Sequence, residues 1–311
     1  MREVGLKATI GAALGGALLV LACPMPAIAT FPGINGKIAY EMAGNIFTVS
    51  PTGGTPAQLT TGGGSYHPAW SPRGDQIAFN RNKSLFVMAA NGAGQRRVPT
   101  GNVVVAANPT WSPDETQIAF AGQDGNLYRV GSGTGASAVI QMTRDQTRAC
   151  HPFDEYPNWS PTGQEIVFIR QCTAGSPLND SVTLLDLSSL TEKPILATPS
   201  YLYHPRFTSD GTWIDLVTSC LYPSLSGCTY KNTQSNNIVQ IEKDGSGWTF
   251  LTNFDSQSES AADDPGPSPD GTTFAWTIED YGNPNGIAIG VPRYATILAR
   301  GSEPDWQRIA G

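Results

Sequence analysis

The sequence predicts an all-β fold, a six-bladed β-propeller with four antiparallel strands per blade, and three observations carry that expectation. A string of the form Pro-x-Trp-Ser-Pro, followed by an apolar triplet, recurs as Pro68-Ala69-Trp70-Ser71-Pro72 before Ile77-Ala78-Phe79, as Pro109-Thr110-Trp111-Ser112-Pro113 before Ile118-Ala119-Phe120, and as Pro157-Asn158-Trp159-Ser160-Pro161 before Ile166-Val167-Phe168. Weaker copies follow at Pro205-Arg206-Phe207, Pro265-Gly266-Pro267-Ser268-Pro269 and Pro304-Asp305-Trp306. The 311 residues hold 34 Gly and 24 Pro and no long helical pattern, as many short strands and tight turns require.

Each repeat reads as four strands, A to D. In the second blade, A is 68–71, B is 76–80, C is 84–88 and D is about 95–100. Ser71-Pro72-Arg73-Gly74 forms the A–B turn, with proline where a fixed φ is wanted and glycine closing it. The unalternating triplet Ile77-Ala78-Phe79 suits a strand covered on both faces. Proline has no N–H to give a ladder, so a proline in every A strand makes A an edge, and in a radial array that edge lines the central channel.

Strands C and D follow at 127–130 and 138–143, 182–186 and 194–196, 238–241 and 248–251, and 287–290 and 295–298. The chain opens on Gly36-Lys37-Ile38-Ala39-Tyr40, a B strand lacking an A, with C at 45–49 and D at 56–60. It ends on Pro304-Asp305-Trp306-Gln307, an A strand lacking a B. Joined, the two ends make one blade and close the ring at six.

Residues 1–29 have the pattern of a secretory signal: Arg2 and Lys7, an apolar run from Ala8 to Ala22, and Ala27-Ile28-Ala29 before the cleavage point. The propeller domain is then 30–311, exported to a periplasmic or extracellular space, and no transmembrane span is expected in it. The rival reading takes Val20-Leu21-Ala22-Cys23 as a lipoprotein site with Cys23 acylated. Removing two basic residues and Glu3 changes the net charge from −7 to −8, which argues against a nucleic-acid partner. Four cysteines remain, Cys150, Cys172, Cys220 and Cys228. Export favours two disulfides; Cys150–Cys172 and Cys220–Cys228 are the favoured pairing among three.

The recurring Pro-x-Trp-Ser-Pro-x-Gly-x-x-Ile-Ala-Phe string resembles the TolB-type, WD-repeat-like β-propeller family over about residues 33–311. The resemblance implies the propeller but not the α/β domain that precedes it in TolB. It also departs from propeller-bearing peptidases, because no Gly-x-Ser-x-Gly nucleophile elbow occurs.

Strand direction alternates, so A–B and C–D turns share one face and the longer B–C and D–A segments, 144–156, 171–180, 219–236 and 252–264, share the other. Long loops gathered on one face mark a binding surface. On that face the residue before each repeat proline forms a ring: Glu303, His67, Asn108, Tyr156, His204 and Asp264. Six-fold order sets His67 opposite His204, Glu303 beside the first and Asp264 beside the second. Imidazole with carboxylate suits a divalent metal or a small polar ligand, and a water-lined funnel is the plainer reading of the same residues. His151 with Asp154 and Glu155 forms a second candidate cluster, which a disulfide-anchored surface loop explains as well. Asp255, Glu259, Asp263 and Asp264 could attract calcium or a basic partner to the 252–264 loop, but without EF-hand spacing a solvated acidic loop is the plainer reading. Trp70, Trp111, Trp159 and Trp306 read as packing between blades, with Trp213, Trp248 and Trp276 structural on B or D strands.

The expected function is therefore a monomeric binding module that engages an envelope or extracellular protein, or a small molecule, through the loop-rich face. The chain lacks the motifs of a known catalytic set. The alternative is a metal-assisted lyase or hydrolase acting on a sugar or lactone at the channel mouth.

Overall fold

The computed structural model describes residues 33–135, 137–144, 153–171, 180–198, 200–219, 236–254, 260–280, 285–291 and 294–309. The signal segment, all five cysteines with their proposed pairings, His151, Asp255 and Glu259 lie outside them.

The described residues form six four-stranded antiparallel sheets. Blade one holds β1 (Ile34–Met42), β2 (Asn45–Val49) and β3 (Ala57–Gln58). Blade two holds β4 (Ser65–Trp70), β5 (Gln76–Arg81), β6 (Ser84–Ala89) and β7 (Arg96–Arg97). Blade three holds β8 (Val105–Trp111), β9 (Gln117–Gly122), β10 (Leu127–Gly131) and β11 (Ile140–Gln141). Blade four holds β12 (Phe153–Trp159), β13 (Glu165–Gln171), β14 (Asp180–Asp186) and β15 (Thr191–Thr198). Blade five holds β16 (Tyr201–Phe207), β17 (Trp213–Ser219), β18 (Asn236–Glu242) and β19 (Thr249–Phe250). Blade six holds β20 (Ser260–Pro267), β21 (Phe274–Asp280), β22 (Gly286–Val291) and β23 (Tyr294–Arg300), and β24 (Ser302–Ile309) returns to blade one as its inner strand. The ring closes through β1 and β24, with Ile38 opposite Trp306 and Ala39 opposite Asp305.

Six hydrophobic clusters hold the ring, one at each seam between blades. Trp70 packs on Ala39 and Ile46 of blade one, Trp111 on Ala78 and Leu85 of blade two, and Trp159 on Ala119 and Leu127 of blade three. Phe207 takes that place against blade four, and Trp306 against Ala275 and Ile287 of blade six. Blade six has proline at the motif position, Pro267, and Trp276 of its B strand fills the seam instead, beside Val217 and Ile238 of blade five. The four motif tryptophans are at most 6% exposed, so they are seam residues and not stacking platforms. Trp213 and Trp248 are only half-buried, and Trp248 stands just before β19.

Turn chemistry repeats as expected. The fourth turn residue donates to the carbonyl of the first at Gly74, Gly163, Gly211 and Gly271, each at positive φ. Blade three has Glu115 there, at φ 60°; its buried carboxylate takes Arg73 N–H and Nε–H across the seam at 2.5 and 2.6 Å. That ion pair supplies a reason for a side chain where glycine is easier.

Truncating Trp159 to Ala leaves a cavity in the seam between blades three and four. It should cost about 3–5 kcal/mol in urea denaturation, whereas a loss below about 1 kcal/mol would mean the indole is not in the core.

Candidate functional site

The A strands line the channel, and each departs from regular pairing beside its proline. The ladders slip between Tyr66 and Ala69, Ala107 and Thr110, Glu155 and Asn158, Tyr203 and Arg206, Asp263 and Gly266, and opposite Ala39 and Glu41 in blade one. At each slip the residue before the proline is left-handed: His67 (φ 53°), Asn108 (53°), Tyr156 (55°), His204 (49°), Asp264 (49°) and Glu303 (58°). Asn, Asp and His tolerate that region best, so Tyr156 and Glu303 are the costlier members. Six bulges at one level are a designed feature of the ring and re-aim the side chains there.

The six predicted residues do meet around one cavity of about 20 Å³, which Arg206 also lines. That volume suits about one water molecule or a bare ion. They do not converge as a single four-ligand set. His67 Nδ1 lies 2.8 Å from Glu303 Oε1, and the His67 N–H donates to Glu303 Oε2 at 2.6 Å. Opposite, His204 Nδ1 lies 2.8 Å from Asp264 Oδ1, whose Oδ2 accepts from Thr277 Oγ1 at 2.9 Å. The arrangement is two His–carboxylate pairs, with Glu303 beside His67 and Asp264 beside His204 as the order of blades predicts, because each histidine is held by its neighbouring blade.

Asp263 joins the second pair, 3.7 Å from His204 Nε2. In an unbulged strand successive side chains point to opposite faces, so Asp263 and Asp264 could not both reach one imidazole. The two lie in β20 and not in a loop, so the 252–264 segment expected as loop gives way to strand from Ser260 onward. Within the described residues, His204, Asp263 and Asp264 are the one group of three potential metal ligands, their donor atoms within 4.8 Å of one another. Tyr156 packs against His204 with the rings tilted 46° and centroids 4.1 Å apart and meets Tyr203 edge-on at 6.2 Å, while Tyr203 stacks on Tyr201 at 6.1 Å. An aromatic file therefore runs from the rim into the ring.

Burial alone would lower the His204 pKa, but the charges of Asp264 and Asp263 and the hydrogen bond to Asp264 outweigh it and raise it to about 9. For Asp264 burial is likewise outweighed, by His204 and Thr277, and its pKa falls. Asp263 is pushed up by burial and then by the charge of Asp264. Burial also raises Glu155 and Glu279. Carboxyl groups are therefore gathered around the His204 imidazolium.

Asp154 does not form a rim cluster with Glu155. It is buried in β12 and takes Arg170 Nε and Nη2 at 2.7 and 2.8 Å.

Below the proline a second ring comes from the next residue of each strand: Ala69, Thr110, Asn158, Arg206, Gly266 and Asp305. Arg206 Nη1 lies 3.4 Å from Asp305 Oδ1. Side chains of this ring tie blade to blade: Asp305 Oδ2 accepts from Trp70 N at 2.6 Å, Thr110 Oγ1 from Trp159 N at 3.2 Å, and Asn158 Oδ1 from Phe207 N at 3.0 Å. Sequence reasoning missed this ring, and it named Asp263 only as an acidic residue of the 252–264 segment and not as a partner of His204. Their only sequence signal is their fixed offset from each proline.

Fold and ring together define the class: a six-bladed propeller whose channel mouth is lined by pre-proline, left-handed residues. No family model matches the chain, and no curated protein matches it. Solved structures do match. TolB from Acinetobacter baumannii superposes with a TM-score of 0.65 at 19% identity, covering 88% of this chain and 66% of that one. A putative TolB from Agrobacterium tumefaciens gives 0.65 at 18%, over 86% and 91%. An oligogalacturonate lyase in complex with manganese gives 0.52 at 14%, over 86% and 73%, and a chain of the nidogen/laminin complex gives 0.65 at 7%, over 88% and 99%. The chain thus spans just under two thirds of the first TolB. At these identities the likeness shows a shared propeller fold.

The sign of the pH dependence follows from His204. A histidine raised from 6.5 to about 9 stabilises the fold fully below about pH 6.5 and loses that contribution as pH rises through about 9. Chemical denaturation should show wild-type stability falling on the order of 3 kcal/mol over that window, and the step should vanish in His204→Gln. A pH-independent wild-type stability there would contradict the imidazolium assignment.

Proposed function

We propose that this protein is an exported, non-enzymatic binding module that docks an envelope or extracellular protein on its loop-rich face, and that the docked segment is basic. The observation that carries the reading is an arc of exposed apolar side chains on that face. Tyr66 (43% exposed), Val104 (44%), Phe153 (39%) and Tyr201 (37%) stand at the starts of the A strands of blades two to five, around the channel mouth. Exposed aromatics grouped on one face are the usual anchors of protein interfaces. The carboxyl groups of Glu155, Asp263, Asp264, Glu279 and Glu303 beside them favour a basic partner. The space of about 20 Å³ between the six ring residues is too small to enclose a sugar ring. Export rests on the leader pattern of residues 1–29. Among the described residues no helix is long and apolar enough to cross a membrane. The nidogen propeller, known in complex with laminin, adds that this fold can serve such a role.

The test is a comparison of wild type with a Tyr66→Ala/Phe153→Ala/Tyr201→Ala variant as bait against the envelope fraction. All three side chains are partly exposed, so melting temperature should hold while the affinity of a captured partner falls at least about 30-fold. Equal recovery by both baits would overturn the reading.

A second reading is favoured by one observation, the approach of His204, Asp263 and Asp264. Imidazole and two carboxylates are a fitting donor set for manganese or zinc, and the manganese-bound lyase shows that a propeller of this kind can hold such an ion. It would support the metal-assisted alternative at the channel mouth, with a sugar or lactone lying above the ring. Added manganese, zinc or calcium should then raise the melting temperature of wild type and leave Asp263→Asn unchanged. No shift with any of the three would end this alternative.

A further inference from the structure

The opposite face, with the short A–B turns, has a cleft of about 580 Å³ between blades five and six. Its floor shows a departure that only the repeat makes visible. Opposite the second-ring residue of each A strand, the B strand carries Ala39, Ala78, Ala119, Val167 and Ala275 in five blades, and Asp215 in blade five. The C-strand partners are Thr48, Val87, Arg129, Leu184 and Ile289, against Gln240 beside Asp215. Asp215 is 3% exposed. Burying a carboxyl there is costly, and the seam would close better over alanine.

Gln240 Nε2 donates to Asp215 Oδ1 at 2.8 Å. Oδ2 has no hydrogen-bond donor among the described residues, and Asp215 lines the cleft. Asp210 and Asp270 stand at the rim, held ionised by Thr208 and Thr212 and by Ser268, Thr272 and Asn35, whose hydrogen bonds outweigh the effect of burial. The lining includes these three aspartates and no lysine, arginine or histidine. Trp213, Leu251 and Phe274 supply apolar wall.

We propose that this cleft is a binding site for a small organic ammonium, whose N–H groups donate to Asp215 Oδ2 and whose apolar body packs against Trp213, Leu251 and Phe274. The volume lies within the range of small-molecule pockets. Three carboxylates without a cation select positive charge, and the indole of Trp213 adds a favourable face for it. This site is separate from the channel mouth, and its failure would leave the docking reading untouched. Burial, with a smaller contribution from the charge of Asp210, lifts the Asp215 pKa to about 7 against the opposing Gln240 bond, so the ammonium should bind more tightly as pH rises through that value.

The probe is phenethylammonium, with 2-phenylethanol as its neutral control, measured by calorimetry and by the indole resonance of Trp213. Wild type should bind the amine and not the alcohol. Asp215→Asn should weaken amine binding at least about tenfold. Asp215→Ala/Gln240→Val reproduces the Ala78–Val87 pair of blade two; it should fold, melt no lower than wild type above about pH 7, and lose the amine. No saturable binding to wild type, equal binding of amine and alcohol, or equal amine binding by wild type and the double variant would each overturn the proposal.

Discussion

The structure depends on a missing N–H. Each inner strand carries a proline, which cannot extend the ladder and is tolerated only at an edge. Placing that edge on the channel satisfies the constraint in six blades at once, and the ladder slips by a residue beside every proline. The slip throws the preceding residue into the left-handed region and brings its neighbour to the same side. His204 is therefore flanked by both Asp263 and Asp264, and the rim file Tyr201–Tyr203 runs on to Tyr156.

The blades hold together by two different means. At the seams, a bulky aromatic from one blade fills the space left by small residues of its neighbour, as Trp111 does over Ala78. Around the channel, polar side chains of the second ring accept backbone N–H groups of the next blade, replacing pairing that the radial geometry forbids. Where the second-ring side chain is only a methyl, at Ala69, the indole N–H of Trp111 bonds its carbonyl instead at 3.0 Å. These bonds pair buried polar groups at four of the seams, while the indole N–H groups of Trp70, Trp276 and Trp306 have no hydrogen-bond partner among the described residues.

Against this regular background, charged departures stand out. The paired Arg170 and Asp154 are a buried ion pair inside blade four. Glu115 replaces a turn glycine and gains an arginine across the seam. Asp215 has only an amide for company and opens on a cleft, which is why it, and not the others, points to a ligand.

By itself the sequence determined the class and the count of blades, the closing of blade one by the C-terminal strand, the seam role of Trp70, Trp111, Trp159 and Trp306, and the six residues of the ring. Those features depend on local rules repeated at one period: proline at an edge, glycine in a turn, an apolar triplet in a covered strand. The order of blades even placed Glu303 beside His67 and Asp264 beside His204. Only the tertiary structure decided that Asp263 shares His204, that residues 153–156 and 260–264 are strand and not loop, and that Asp215 lies open to a cleft. Period-two alternation hides a bulge, and a bulge changes which side chains meet. Contacts across a channel or a seam are set by the packing of blades far apart in the chain, and a single strand's sequence carries no record of that distance.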